Sequence, residues 1–286
     1  MHIITDERCL AYKTSRHPER PERVRAARAR LRQCAELNCV WLTPPVVDDS
    51  VLLRAHTQQH LDRLAHAQPF DTETPCPPQI ALYARLAAGG ALLAMRLARQ
   101  GETAFSLMRP PGHHATRDRA MGYCYLNHAA IAVLEAQATG VGRVAVFDFD
   151  VHHGNGTESI LLPQPGCAYF SVHQHLAYSN TGGSSFDNSH NYPCAPDTPR
   201  QEYRRVLTQA LEDLKQFQPD LVAVSAGFDA YRGDPLADQQ LEQEDFHWLG
   251  QSVRQLSVPS FSVLEGGYSA ELPELVEAYL LGLEGY

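Results

Sequence analysis

Residues 147–157, FDFDVHHGNGT, constrain this chain more than any other stretch. They follow Arg143-Val-Ala-Val, an apolar run that reads as a buried strand of a parallel sheet. Within a few positions come two carboxylates, two imidazoles and two glycines. A run this polar at a strand end is costly unless it binds or reacts with something. Asp150 and His152 are two apart, so an extended backbone projects them to the same side, where an oxygen and a nitrogen ligand can hold one metal ion. Gly154 and Gly156 let the chain turn sharply straight afterwards.

Apolar periodicity along the rest of the chain predicts strands at residues 2–4, 103–108, 167–172, 220–225 and 260–264. Helices are predicted at residues 23–36, 80–99, 125–138, 200–217, 246–256 and 272–283, with shorter helix over 52–67. This alternation predicts one α/β domain over residues 1–286, with a mostly parallel sheet covered on both faces. RPPGHHA (residues 109–115), DFDVHHGNG, AGFDA and EGGY each follow directly on an apolar strand. Open α/β sheets bind ligands at the carboxyl ends of their strands, so four separate pieces of sequence converge on one edge.

Composition narrows the partners. The net charge of −9 argues against a nucleic-acid-binding face and weakly favours cationic partners. No apolar run approaches the roughly 20 residues that span a bilayer, and MHIITDERCLAYK lacks a secretory pattern. No membrane partner is therefore expected. The seven cysteines are odd in number, scattered and without CxxC, which points to reduced thiols and a cytoplasmic location. Lysine occurs only at positions 13 and 215 while arginine is abundant, a bias that GC-rich bacterial codons produce.

A catalytic zinc usually has three protein ligands and one open position. Asp150, His152 and Asp229 form such a set; two carboxylates to one imidazole make it harder than the usual zinc site, so iron(II) competes. His153 is the alternative to His152, and strand alternation favours His152. His113 and His114, after a rigid RPPG turn, suit general base and acid duty beside an activated water. Asp148 and Asn155 can accept hydrogen bonds from those imidazoles, and a carboxylate behind one with an amide behind the other separates their pKa values. Tyr268, after two glycines, can donate to a developing oxyanion.

These motifs, with HPERPERV (residues 17–24) and AMGYCYLNH, run in the order found in the zinc-dependent histone deacetylases of the arginase/deacetylase superfamily, which the chain resembles over nearly its whole length. The resemblance implies a three-layer αβα sandwich around about eight strands. It implies zinc on Asp150, His152 and Asp229, with His114 as main general base and acid and His113, bonded to Asp148, as electrostatic helper. Tyr268 would polarise the scissile carbonyl. A substrate tunnel carries over to Gly122, Tyr123 and Tyr178, and an internal channel to Arg20. A structural potassium site carries over to Asp148, Asp150, His152, Ser171 and Val172. Asp71 stands for the rim aspartate that grips substrate backbone in some relatives.

Departures refine this. Asn155 looks like class II, His128 stands where Asn or Asp is common, and the loop SVHQHLAYSNTGG lacks the usual proline. Leu236 occupies the position where polyamine-selective relatives carry a glutamate gatekeeper. The expected activity is removal of an acetyl or other acyl group from acylated lysine by metal-activated water. An acetylpolyamine amidohydrolase and an inactive acyl-amine binding protein are the alternatives. A manganese ureohydrolase of the arginase branch fits less well, because DFDVHH does not match its DxHxD-type motifs.

Overall fold

The computed structural model describes residues 1–66 and 68–286, so the predicted helix end at position 67 lies outside the described residues. The elements run β1 (His2–Ile4), α1 (Pro21–Leu31), β2 (Val40–Leu42), α2 (Asp49–Leu52), α3 (Gln58–Leu64) and α4 (Ile80–Ala98). Then come β3 (Ala104–Ser106), α5 (His128–Ala138), β4 (Val144–Asp148), α6 (Asn155–Leu161), β5 (Cys167–Gln174) and β6 (Ser189–Cys194). The chain closes with α7 (Arg200–Gln216), β7 (Leu221–Ala226), α8 (Gln243–Gln255), β8 (Ser260–Leu264) and α9 (Leu272–Glu284).

Among the described residues the strands form one eight-stranded sheet in the order β2-β1-β3-β8-β7-β4-β5-β6. Every pairing is parallel. Alternation along the strands builds two cores. Val144 and Val146 of β4 pack with Ala88 and Leu92 of α4 and Ile131 of α5. Ala145 and Phe147 face the other way, toward Leu207 and Leu211 of α7, Phe246 of α8 and Leu280 of α9. The sheet is thus sandwiched between two helical layers, as the alternation of elements predicts.

Two strands escape the periodicity. β2 is a three-residue edge strand, and β6, Ser-His-Asn-Tyr-Pro-Cys, is a polar edge strand in which Pro193 is tolerated. One expectation is corrected: α4 is long and apolar enough to span a bilayer by length and composition. Most of it is buried instead, because Gly89 and Gly90 let it approach Pro45 and Ser106 more closely than any side chain permits.

Candidate active site

β4 ends at Asp148, so Asp150 and His152 lie beyond the strand, and strand alternation is not what brings them together. Asp148 Oδ1 accepts the backbone N–H of Asp150 at 3.2 Å, and Asp150 Oδ1 accepts that of His152 at 2.9 Å. These successive Asx turns fold the segment inward. Asp229, just past β7, completes the set and accepts the N–H of Val151 at 2.9 Å. His152 Nδ1 lies 3.1 Å from both Asp150 Oδ1 and Asp229 Oδ2. One donor atom from each of the three lies within 4.8 Å of the other two. His153 turns away, with Nδ1 2.7 Å from the Thr181 hydroxyl and Nε2 3.5 Å from Glu158.

Both carboxylates are fully buried. Burial and the charge of Asp150 hold Asp229 above the ordinary carboxylate range. Two buried, mutually repelling carboxylates with an imidazole nitrogen aimed between them fit a divalent cation. A second convergent set, His113, Cys124 and Glu265, is already engaged. Glu265 Oε2 accepts the N–H groups of Gly112 at 2.6 Å and His113 at 3.1 Å. The Cys124 thiol donates to the Gly122 carbonyl at 3.2 Å, and burial holds it well above its ordinary pKa.

The paired histidines stand 4.0 Å apart, ring centre to ring centre. His113 Nδ1 is 3.2 Å from Asp148 Oδ2, which also accepts from the Tyr169 hydroxyl at 2.9 Å. His114 Nδ1 is 2.8 Å from Asn155 Oδ1. Burial works against a charged His113, but the carboxylates of Asp150 and Asp148 outweigh it and raise the ring to about 10. Burial, reinforced by His113 and His152, holds His114 well below its ordinary value. Nearby carboxylates therefore favour a charged His113, and burial beside two imidazoles favours a neutral His114.

HPERPERV anchors both the loop of the histidine pair and the loop of Tyr268. Arg109, which opens the RPPGHHA turn, is buried and donates to Glu19 at 2.7 Å and to the carbonyls of Cys9 and Tyr12 at 2.7 and 2.9 Å. Arg23 donates to the carbonyls of Gly267 at 2.6 Å and Glu265 at 2.7 Å. Its guanidinium lies 4.5 Å from the centre of the Tyr268 ring. The buried arginine behind the site is thus Arg23; Arg20, to which the resemblance assigned this place, is the exposed N-cap of α1. One helical phase separates the two. The Tyr268 phenol is pushed well above its ordinary pKa by burial, so it stays protonated.

These groups open into a cavity of about 200 Å3 lined by His113, His114, His152, Gly122, Tyr123, Tyr178, Leu236 and Tyr268. Gly122 adopts φ +57°, and a Cβ there would strike the rings of His114 and Tyr178. Tyr178 thus joins the wall, 4.8 Å from His114, despite its divergent loop. Glu73 and Gln174 also line the cavity and went unanticipated. Asp71 is not in the lining; its Oδ1 accepts the N–H groups of Glu73 at 3.0 Å and Thr74 at 2.6 Å, which positions Glu73. Asp148, the last residue of β4, is the register partner of Ser171 in the middle of β5, with Val172 next along that strand. The Ser171 hydroxyl meets His173 at 2.8 Å and the Val172 carbonyl accepts from Tyr203 at 3.4 Å.

A parallel αβα sheet carrying a histidine pair and a carboxylate–imidazole set at its carboxyl edge defines the arginase/deacetylase class of hydrolases. The chain belongs to the histone deacetylase domain family, whose profile matches residues 17–283. It is 37% identical over 286 residues to a probable deacetylase of Methanothermobacter thermautotrophicus, covering 94% of this chain and 86% of that one. It is 36% identical over 215 residues to acetylpolyamine amidohydrolase 1 of Pseudomonas aeruginosa, covering 71% of this chain and 62% of that one. The crystallised HD domain of HDA15 superposes with a TM-score of 0.93 at 33% identity, covering 100% of this chain and 91% of that one.

Proposed function

We propose that this protein is a zinc-dependent amidohydrolase that removes an acetyl or other acyl group from acylated lysine side chains. The observation that carries this reading is the split histidine pair beside the three-donor set: His113 on a carboxylate, His114 on an amide. Asp150, His152 and Asp229 would hold the zinc, with iron(II) as its competitor. A divalent cation there supplies Lewis acidity that sharpens the acyl carbonyl as an electrophile and water as an acid. His114, neutral, takes the proton of the attacking water and returns it to the leaving amine. His113, charged, offsets negative charge as it develops, and Tyr268 donates its phenolic proton to the oxyanion in a hydrogen bond. Gly122, Tyr123 and Tyr178 confine the acylated side chain. The end of β4, the turn after it and the middle of β5 would hold potassium through Asp148, Asp150, His152, Ser171 and Val172. Seven free cysteines support a reducing, cytoplasmic setting.

A second reading, an acetylpolyamine amidohydrolase, is favoured by Glu73 in the cavity wall, since a carboxylate there can meet a distal ammonium. Leu236 favours peptide. Metal-reconstituted protein assayed against acyl-lysine peptides and acetylpolyamines decides between them. Turnover of neither class would overturn the amidohydrolase reading.

A further inference from the structure

A second cavity, of about 560 Å3, adjoins the active-site mouth. Lys13, Arg16, His17, Arg20 and Glu22 line it, and it shares Leu236 and Tyr268 with the active cavity. The single carboxylate is already used: Glu22 pairs with Lys13 and with Arg25, each at 3.5 Å. Arg16 and Arg20 are exposed and have no ion-pair partner among the described residues. The wall is fixed, because the His17 ring lies 2.9 Å from the Glu73 carbonyl and 3.2 Å from that of Glu19, and Arg16 is held at φ +59°. A chain with a net charge of −9 thus presents two guanidinium groups without carboxylate partners in a cavity that shares two lining residues with the active cavity.

We propose that this basic cavity is a subsite for a carboxylate carried by the substrate, an aspartate or glutamate next to the acylated lysine. This rests on the acyl-amine hydrolase reading and names the substrates that reading leaves open. With the acylated side chain in the active cavity, the neighbouring residue lies only about 3.5 Å further along an extended peptide. Its side chain crosses Leu236 and meets Arg16 and Arg20, whose planar forks suit a carboxylate. A peptide flanked by lysine, or a polyamine, brings a cation to the same place and is repelled.

The test uses three acetyl-lysine peptides of equal length whose neighbouring residue is Glu, Gln or Lys. For the wild type, kcat/KM is expected to fall in the order Glu, Gln, Lys, with about fivefold between the first two, the scale of an exposed charge contact. Added salt should compress that ratio. In R16Q/R20Q the Glu-to-Gln ratio should approach one, and Arg20→Glu should turn the preference toward Lys. Fluorescence anisotropy of the same peptides reads the subsite without turnover, so a protein that binds with this order yet never hydrolyses overturns the proposed function and leaves the subsite standing. Equal binding and turnover of the three peptides, or an undiminished ratio in a folded R16Q/R20Q, overturns the subsite.

Discussion

Asp234 accepts the backbone N–H of Tyr268 at 2.6 Å and that of Ser269 at 3.1 Å, while its other oxygen accepts that of Leu236 at 3.0 Å. One carboxylate therefore sets both the phenol and the mouth of the cavity. Burial and the charge of Asp229 raise it to about 7, so ionising this carboxyl is costly where it sits. Asp234→Ala frees three N–H groups and should lower kcat/KM by about 10- to 100-fold, since small misplacements of a catalytic group are costly. Bound metal should stay at one equivalent, measured by elemental analysis. In a Tyr268→Phe background the same change should cost far less, because both act through one phenol.

Tyr268→Phe itself should keep metal and fold and lose roughly 10²–10³ in turnover, the usual magnitude for one oxyanion donor. Turnover close to wild type would remove the phenol from the mechanism.

Asp229→Ala should abolish metal retention as well as activity. It removes one of three donors and leaves two that cannot close a catalytic site. A full equivalent of zinc in that variant would show the ligand assignment to be wrong.

The histidines should separate by pH as well as by rate. His114→Ala should be the more damaging, since it removes the proton carrier. The charge on His113 disfavours protonation of His114. His113→Ala should therefore let the His114 pKa rise and move the acid limb of the kcat/KM profile to higher pH. A limb that stays in place would mean that His113 does not act on His114 electrostatically.

How far these residues were legible depends on what fixes each one. The polar motifs follow apolar strands, and strands that alternate with helices put their carboxyl ends on one edge; the convergence of His113, Asp150, Asp229 and Tyr268 is readable from order alone. Asp150 and His152 do face together, but through side-chain-to-backbone turns and not through strand alternation. Arg20 and Arg23 occur in the same charged motif, and only the phase of α1 decides which reaches Gly267. Asp71 and Glu73 share a loop in which one carboxylate is spent on capping the turn that presents the other. Nor does β6 carry an apolar signal, because its buried Ser189 and Asn191 are polar and both donate to Glu158.

Acid should destabilise the fold through buried histidines outside the catalytic set. His56 and His128 are nearly fully buried, and burial lowers each to about 3. Both bind protons more readily when unfolded, so their neutral forms contribute stability that is complete above the unfolded value near 6.5 and lost as pH falls toward 3. By pH 5 each should have cost about 2 kcal/mol. Replacing His128 with asparagine should flatten the fall in urea midpoint between pH 6.5 and 5, whatever it does at neutral pH. An unchanged slope would mean that His128 does not carry this proton linkage.

Substrate choice turns on which carboxylates reach the mouth. Leu236 lines the cavity where a glutamate would attract the distal ammonium of a polyamine. Leucine cannot, and it leaves apolar surface for peptide backbone and acyl chain. Glu73 also lines the cavity, so the wall is not free of negative charge. Glu73 is exposed, and a contact screened by water is worth little on its own. Acetyl-lysine peptides should therefore outperform acetylspermidine in kcat/KM. Leu236→Glu should shift the ratio toward the polyamine by about 1–2 kcal/mol, because two carboxylates then face one ammonium across a partly desolvated mouth. Glu73→Gln should shift the wild-type ratio the other way by less. A wild type that already prefers acetylspermidine tenfold would move the assignment to polyamines, with Glu73 as the first residue to test, while the amide-cleaving chemistry of His114 and Tyr268 would stand.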